Sequence, residues 1–582
     1  MRKHSYIVKG TMMPEEYPII LENVSFYYKD SRKPALKNID LKVRRGETVV
    51  LVGRTGAGKT TMIYSIGGII PNYIKGRLKG DVIIDGMNTK EYSLYELAQH
   101  VGVVMEDPEA HIVAFTVEDD VAFGPCNLGL PREEIYKRIE FALEATRLTD
   151  LRKNNPYNLS GGEKQSLAIA GILAMRPDIL ALDEPTSMLD PLGRERIYNV
   201  LRSLKEKYGI TMIFSSHDTE RIVSLADRII VLYKGEIILE GHPSKVFQEV
   251  DVLEKVGVPV PSATKLAYLL RKDGIWNNLL PLTLEEIYNF LMKYINVKRY
   301  FTKHLEKQVK PKSIKPIIKI RNLIHMYPNK IMALRGINLD IYEGEFVALV
   351  GQNGSGKTTL ARHIAGLLKP SNKDAEIVVD GLNIIKARMR DIIKKVGYVF
   401  QIPEHQIFHS TTREELEFGL RNLGFPENEI KKRVDEVASL LGLKGYEDEW
   451  PLSLDRGKRF RIVLGSILAI RPKIIIVDEP TTGQDWNDSK YICEILRKIN
   501  AEGHTIIMIT HEMDLVASYA TRVIALYKGQ VLLDGNPRNV FTKLDILRKT
   551  WIQPPQITRL GLRLKLPSCF LTIDEFYDYL RG

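Results

Sequence analysis

Cysteine is scarce in this chain: Cys126, Cys493 and Cys569 are the only three among 582 residues. They are scattered, with no C-x-x-C pair, so a disulfide framework and a zinc or iron–sulfur site are both excluded on spacing. Long hydrophobic runs are missing too. A bilayer-crossing helix needs about 20 apolar residues; the nearest candidate, 66–74, is short and interrupted by Gly67, Gly68 and Pro71. The first residues carry no apolar core of the kind a signal peptide has. The expectation is a chain in the reducing cytosol that reaches any membrane through a partner. Charge of one sign does not dominate: 83 Lys and Arg face 72 Asp and Glu, a net +11. Such an excess is compatible with nucleic acid or an anionic surface, but it is spread along the chain like a solvated basic surface.

What is present is a duplication. GRTGAGKTT at 53–61 returns as GQNGSGKTT at 351–359, LALDEPT at 180–186 as IIVDEPT at 475–481, and SSHD at 215–218 as ITHE at 509–512. The offset barely drifts, from 298 at the two loop lysines to 294 at the two histidines. The tails repeat as well: SATKLAYLLR at 262–271 answers QITRLGLRLK at 556–565, and LTLEE at 282–286 answers LTIDE at 571–575. One architecture used twice is the reading that such self-similarity demands. The expected organisation is an N-terminal extension (1–18), a first nucleotide domain (19–250) with its appendage (251–297), a Lys- and Pro-containing linker (298–316), a second domain (317–545) and its appendage (546–582).

Each repeat carries G-x-x-x-x-G-K-T after a short apolar run, Thr48–Val52 in the first. Each position in that pattern has a mechanical role. Glycines let backbone N–H groups turn inward around phosphates, and the following helix N-terminus adds partial positive charge. The phosphate-binding candidates are therefore Gly53, Arg54, Thr55, Gly56, Ala57, Gly58, Lys59, Thr60 and Thr61. Their counterparts are Gly351, Gln352, Asn353, Gly354, Ser355, Gly356, Lys357, Thr358 and Thr359. Lys59 and Lys357 would reach the β- and γ-phosphates, and the hydroxyls of Thr60 and Thr358 would ligate Mg²⁺. Asp183 and Asp478 end apolar strands, which suits a metal-holding carboxylate. Glu184 and Glu479 follow where the strand stops, so each can turn toward the γ-phosphate as general base. His217 and His511, after matching strands, would contact the same phosphate. Polar groups at the carboxyl ends of buried strands mark the ligand crevice of an α/β sheet.

About twenty residues before the first Asp-Glu pair stands NLSGGEKQ at 158–165, which resembles the signature of ABC-type ATPases. The resemblance covers both halves. It implies an α/β fold of two tandem P-loop ABC nucleotide-binding domains, each with a helical signature subdomain and a small C-terminal appendage. It implies ATP and Mg²⁺ as cofactors, Tyr28 and Tyr327 as adenine-stacking residues, and Ser160, Gly161 and Gly162 as donors to a γ-phosphate. Glu106 and Gln401 fall at the switch position that faces the metal, and Asp190 and Asp485 in the loop linking the two sites. In the family two such domains close head to tail in an ATP-dependent way, so the fused halves are expected to pair within one chain.

The stretches MEDPEAHIVAFTVEDDVAFGPCNLGL (105–130) and FQIPEHQIFHSTTREELEFGLRNLGF (400–425) resemble the ATPases of energy-coupling factor transporters, importers of vitamins and of cobalt or nickel ions. That branch implies an integral membrane scaffold and a substrate-capture subunit as partners, a peripheral position at the cytoplasmic face of the cell membrane, and no nucleic acid. Glu106, Asp107, Glu109 and Glu404 are expected as acidic contacts for basic helices of the scaffold. Two alternatives stay open: a soluble twin ATPase acting on ribosomes, and an ABC importer of another kind, for sugars or peptides. The second signature has decayed. Counting back from the Asp-Glu pairs puts Asp455 at the place of Ser160, Arg456 at that of Gly161 and Lys458 at that of Glu163, leaving Gly457. A register on Ser453 would need a two-residue insertion. A carboxylate near a γ-phosphate costs about 4 kcal/mol at ~4 Å and an effective dielectric of ~20. With Glu106 in place of glutamine, both departures fall in one composite site, and the expectation is one fast site and one slow, ATP-retaining site.

Overall fold

The computed structural model describes residues 16–29, 31–294 and 315–581. Positions 1–15 of the expected extension and 298–314 of the expected linker lie outside them. The chain divides into two compact units, Met1–Asn289 and Phe290–Gly582.

In the first unit, strands β1 (Ile19–Tyr28), β2 (Leu36–Val43), β4 (Gly76–Ile84) and β5 (Met87–Asn88) form an antiparallel sheet in the order β2-β1-β4-β5. A second sheet runs β10-β9-β3-β8-β7-β6, from β3 (Thr48–Val52), β6 (Val101–Val104), β7 (Ile179–Leu182), β8 (Thr211–Ser215), β9 (Arg228–Tyr233) and β10 (Glu236–Gly241). All its pairings are parallel except β9 with β10. The apolar runs need no alternation, because both faces of the parallel strands are covered. Side chains still alternate: Val49 and Leu51 of β3 and Ile179 and Ala181 of β7 enter the core shared with the antiparallel sheet and the helix Lys59–Ile66. Val50, Val52, Leu180 and Leu182 enter the core beneath the helices Gly161–Leu173 and Pro191–Tyr208. This two-sided burial leaves the carboxyl ends of β3 and β7 as the places where polar chemistry meets the sheet.

The second unit repeats the plan. Strands β11 (Pro316–Met326), β12 (Met332–Tyr342), β14 (Glu376–Val379) and β15 (Leu382–Asn383) make the antiparallel sheet. The other sheet runs β16-β17-β18-β13-β19-β20, from β13 (Phe346–Val350), β16 (Val396–Val399), β17 (Ile474–Asp478), β18 (Thr505–Ile509), β19 (Arg522–Tyr527) and β20 (Gln530–Gly535). Each sequence repeat ends in a helix pair. Ser262–Lys272 precedes Leu284–Tyr294, and Gln556–Arg563 precedes Ile573–Arg581. A buried threonine ties each pair together through the same bond: Thr264 Oγ1 donates to the Pro281 carbonyl at 2.6 Å and Thr558 Oγ1 to that of Phe570 at 2.5 Å. A buried carbonyl without a donor is costly, which accounts for the matching threonines in the two tails.

Candidate functional site

Each glycine loop leaves the central strand and opens a helix at its lysine, Lys59–Ile66 and Lys357–Ile364. Gly58 and Gly356 have φ of 108° and 103°, and a Cβ on either would lie 2.6 Å from the carbonyl oxygen of Ala35 or Ala333. Only glycine fits a left-handed backbone this close to another chain segment. The lysines fold back over their loops. Lys59 Nζ donates to the Gly53 carbonyl at 2.9 Å and to that of Arg54 at 3.3 Å; Lys357 Nζ donates to Gly351 and Gln352, both at 2.8 Å. Thr61 and Thr359, expected at phosphate, lie beside the tyrosines: Tyr28 OH is 3.0 Å from Thr61 Oγ1 and Tyr327 OH 3.1 Å from Thr359 Oγ1.

The Asp-Glu pairs sit at the ends of β7 and β17. Glu184 and Glu479 have φ of 44° and 48°. A non-glycine residue held there is strained, and such strain gathers where the surroundings over-determine the position. The turn carries each glutamate to its histidine, with His217 Nε2 3.0 Å from Glu184 Oε1 and His511 Nε2 2.9 Å from Glu479 Oε1. Burial alone pushes both carboxyls up, but the histidine and the loop lysine outweigh it and hold them below their usual range. Asp183 and Asp478 go the other way. Burial, reinforced by the neighbouring glutamate, raises both, against the opposing hydroxyl bonds and lysine.

The two sites then diverge. In the second unit Gln401 Nε2 donates to Glu479 Oε2 at 2.7 Å and Thr482 Oγ1 donates to the same oxygen at 3.2 Å. In the first unit the equivalent residues turn to each other, Ser187 Oγ donating to Glu106 Oε1 at 3.2 Å. Position 106 carries no side-chain amide of the kind by which Gln401 serves Glu479. Glu184 lies instead 3.5 Å from Lys59 Nζ, which is also 3.3 Å from His217 Nε2.

The signature serine and its replacement occupy the same place. Ser160 caps the helix Gly161–Leu173 and Asp455 caps Arg456–Leu468. Ser453 ends the turn Pro451–Ser453, matching Asn158 in Pro156–Asn158, so the Asp455 register holds. Ser160 Oγ donates to Glu163 Oε2 at 2.8 Å in a capping box. Gly162 has Gly193 beneath it, where a Cβ would come 2.7 Å from the Gly193 Cα. Asp455 is paired with the Lys458 ammonium and accepts from the Lys458 backbone N–H at 2.9 Å. Burial pushes its carboxyl up, but Lys458 prevails and holds it below the usual range. The repulsion expected from a bare Asp455 is therefore partly cancelled within the same helical turn.

The acidic contacts expected for a membrane partner are engaged inside each unit. Glu109 pairs with Lys164, Glu404 with Arg459 at 2.6 Å, and Asp107 caps the turn Pro108–His111. Beside exposed polar residues such as Glu109 and Glu414, these stretches expose apolar side chains: Val113, Phe115 and Phe123 in one unit, Ile402, Phe408 and Phe418 in the other. Two site residues escaped the sequence reading. Ser215 Oγ donates to Asp183 Oδ1 at 2.8 Å and Tyr398 OH to Asp478 Oδ2 at 2.7 Å. Asp190 and Asp485 cap the helices Pro191–Tyr208 and Trp486–Ala501.

A family model described as ABC transporter matches residues 36–187 and again 334–482. The chain belongs to the ABC transporter ATP-binding family. It binds and hydrolyses ATP as that family does. Provisionally named ABC transporter ATP-binding proteins resemble it over nearly their whole length. One from Caldanaerobacter subterraneus is 41% identical over 562 residues, 96% of this chain and 98% of its own. One from Methanosarcina mazei is 38% identical over 579 residues, 96% of this chain and 97% of its own. The solved structure of cbiO1 from Clostridium perfringens, described as part of the ABC transporter complex cbiONQ, is 35% identical. It covers 43% of this chain and 99% of its own, with a TM-score of 0.38. Among the described residues no helix of this ABC ATPase is long and apolar enough to cross a membrane.

The aspartate shift predicts a stability effect. A carboxyl raised in the native state binds more protons there than in the unfolded chain, so ionising it costs stability as pH rises from the unfolded to the native pKa. Asp478→Asn should raise the melting temperature of the nucleotide-free protein at neutral pH by about 2–4 °C. The gain should shrink as pH falls through the carboxylate range. Scanning calorimetry across pH checks this, and a lowered melting temperature at neutral pH contradicts it.

Proposed function

We propose that this chain energises an importer of the energy-coupling factor type, carrying a vitamin or a transition-metal ion. It would sit peripherally at the cytoplasmic face and couple to an integral membrane scaffold and a substrate-capture subunit. The observation that carries the reading is the exposed aromatic pair in the same stretch of each unit, Phe115 with Phe123 and Phe408 with Phe418. These residues belong to the 105–130 and 400–425 stretches that resemble that branch. Clustered exposed apolar side chains favour a protein partner over solvent.

ATP is read as binding with Mg²⁺ at both loops. The donors fit: Thr358 Oγ1 lies 3.3 Å from Asp478 Oδ1, and Thr60 hydrogen bonds Asp183. Among the described residues no group of three or more His, Cys, Asp or Glu is assembled to hold an ion alone. Mg²⁺ suits such a place, because it is typically held by one or two carboxylates together with substrate phosphates. The metal would neutralise phosphate charge. Lys59 and Lys357 orient the phosphates, and Glu184 and Glu479 take the proton of the attacking water, each kept ionised by its histidine. Tyr28 and Tyr327 stack the adenine.

Were the halves to pair head to tail, as the resemblance implies, Lys357, Gln401 and Glu479 would meet the intact Ser160–Gly162 signature, and Lys59 and Glu106 would meet Asp455 and Gly457. We read the first combination as the working site and the second as slow. Glu479 accepts from Gln401 and Thr482 besides facing its histidine, whereas the switch position opposite Glu184 carries the carboxylate of Glu106.

Two measurements test these readings. Affinity capture from detergent-solubilised membranes should recover an integral membrane protein, and Phe115→Asp with Phe408→Asp should abolish capture while ATP binding persists. Recovery of ribosomal RNA in its place would overturn the transport reading. Steady-state hydrolysis should fall by about 10²–10³-fold in Glu479→Gln, as loss of general-base catalysis commonly does, and by less than about threefold in Glu184→Gln. Equal losses would reject the asymmetry.

A further inference from the structure

We propose that Tyr398 and Ser215 are positioning residues for the metal-facing aspartates, delivering one buried hydroxyl to Asp478 and to Asp183 from opposite neighbouring strands. The inference rests on the metal reading of Thr358 and Asp478 given above. The terminal torsion of an aspartate is broad and roughly two-fold, so an untethered carboxylate presents either oxygen at either angle. In the second unit Tyr398 OH occupies Asp478 Oδ2 at 2.7 Å, and the free edge, Oδ1, is the one turned toward Thr358 Oγ1. In the first unit Ser215 Oγ occupies Asp183 Oδ1 at 2.8 Å and accepts from the Glu184 backbone N–H at 2.7 Å.

The donors come from different strands. Tyr398 is the third residue of β16, on one side of β17, and Val103 holds that place in β6. Ser215 is the last residue of β8, on the other side of β7, and Ile509 holds that place in β18. Neither valine nor isoleucine can donate a hydrogen bond. The backbone follows suit: Glu479 N donates to the Ile509 carbonyl at 2.9 Å, where Glu184 N uses the Ser215 side chain. A tyrosine at 103 would meet the end of the loop helix, because even a Cβ on Gly67 would lie 2.2 Å from Val103 Cγ2. Strand partners have exchanged the task while each aspartate, besides its loop threonine, kept one hydroxyl from a neighbouring strand, which marks that hydroxyl as a requirement of the site and not an incident of packing.

The test is a Mg²⁺ titration of fluorescent-ATP binding to the full chain in a Lys59→Ala background, which reports on the Lys357 loop. Tyr398→Phe should raise the Mg²⁺ concentration for half-saturation by about tenfold, the effect of losing one hydrogen bond to a charged acceptor, and leave binding in EDTA unchanged. Adding Ile509→Ser to Tyr398→Phe should restore the midpoint to within about twofold by supplying the hydroxyl from the other strand, as in the first unit. Ser215→Ala in a Lys357→Ala background is the reciprocal case and should show the same selective shift. An unshifted midpoint, a matching loss in EDTA, or no recovery in the double variant would overturn the proposal. Asp478→Asn separates the two layers. If it leaves the Mg²⁺ dependence intact, the metal reading itself fails; if it abolishes the dependence while Tyr398→Phe does not alter it, only the role of Tyr398 fails.

Discussion

A buried glutamate that must stay ionised is the constraint around which each nucleotide site is arranged. Glu184 and Glu479 lie at the end of a strand covered on both faces, where desolvation opposes their charge. A histidine from the adjoining strand meets the charge in both units, at 3.0 and 2.9 Å. The left-handed backbone that brings glutamate to histidine is strained, and the parallel sheet on either side holds it. In the second unit the switch residue Gln401 donates to that charge as well.

Duplication supplied two copies of this arrangement, and the copies have drifted along physically intelligible lines. A carboxylate at position 106 stands where Gln401 supplies an amide donor to Glu479. Replacing the capping serine by Asp455 brings in a charge, and Lys458 in the same turn offsets part of it. Exchanging Ser215 for Ile509 removes a hydroxyl, and Tyr398 restores one from the opposite strand. The last two changes are each answered by a nearby residue, so the fold tolerates them.

Much of this was legible in the sequence. The loops, the Asp-Glu pairs, the histidines and the decayed signature each combine a residue type with a fixed spacing, and the duplication doubled every signal. The register of Asp455 followed from counting, because the helix it caps has the same length as its partner. The reach of side chains across the sheet was not legible. Tyr398 and Ser215 lie 80 and 32 residues from their aspartates, and nothing local distinguishes a strand tyrosine that donates to a carboxylate from one that only packs. The internal pairings of Glu109 and Glu404 were not legible for a related reason, since their cations, Lys164 and Arg459, arrive from a helix some 55 positions on.

The central claim is that two nearly identical phosphate loops do unequal work. It is tested most directly by crosslinking photoreactive azido-ATP to the full chain during turnover, cutting within 298–316 at an introduced protease site, and reading the nucleotide on each half. The account predicts triphosphate on the half carrying Lys59 and diphosphate on the half carrying Lys357. The same ratio of triphosphate to diphosphate on both halves would contradict it.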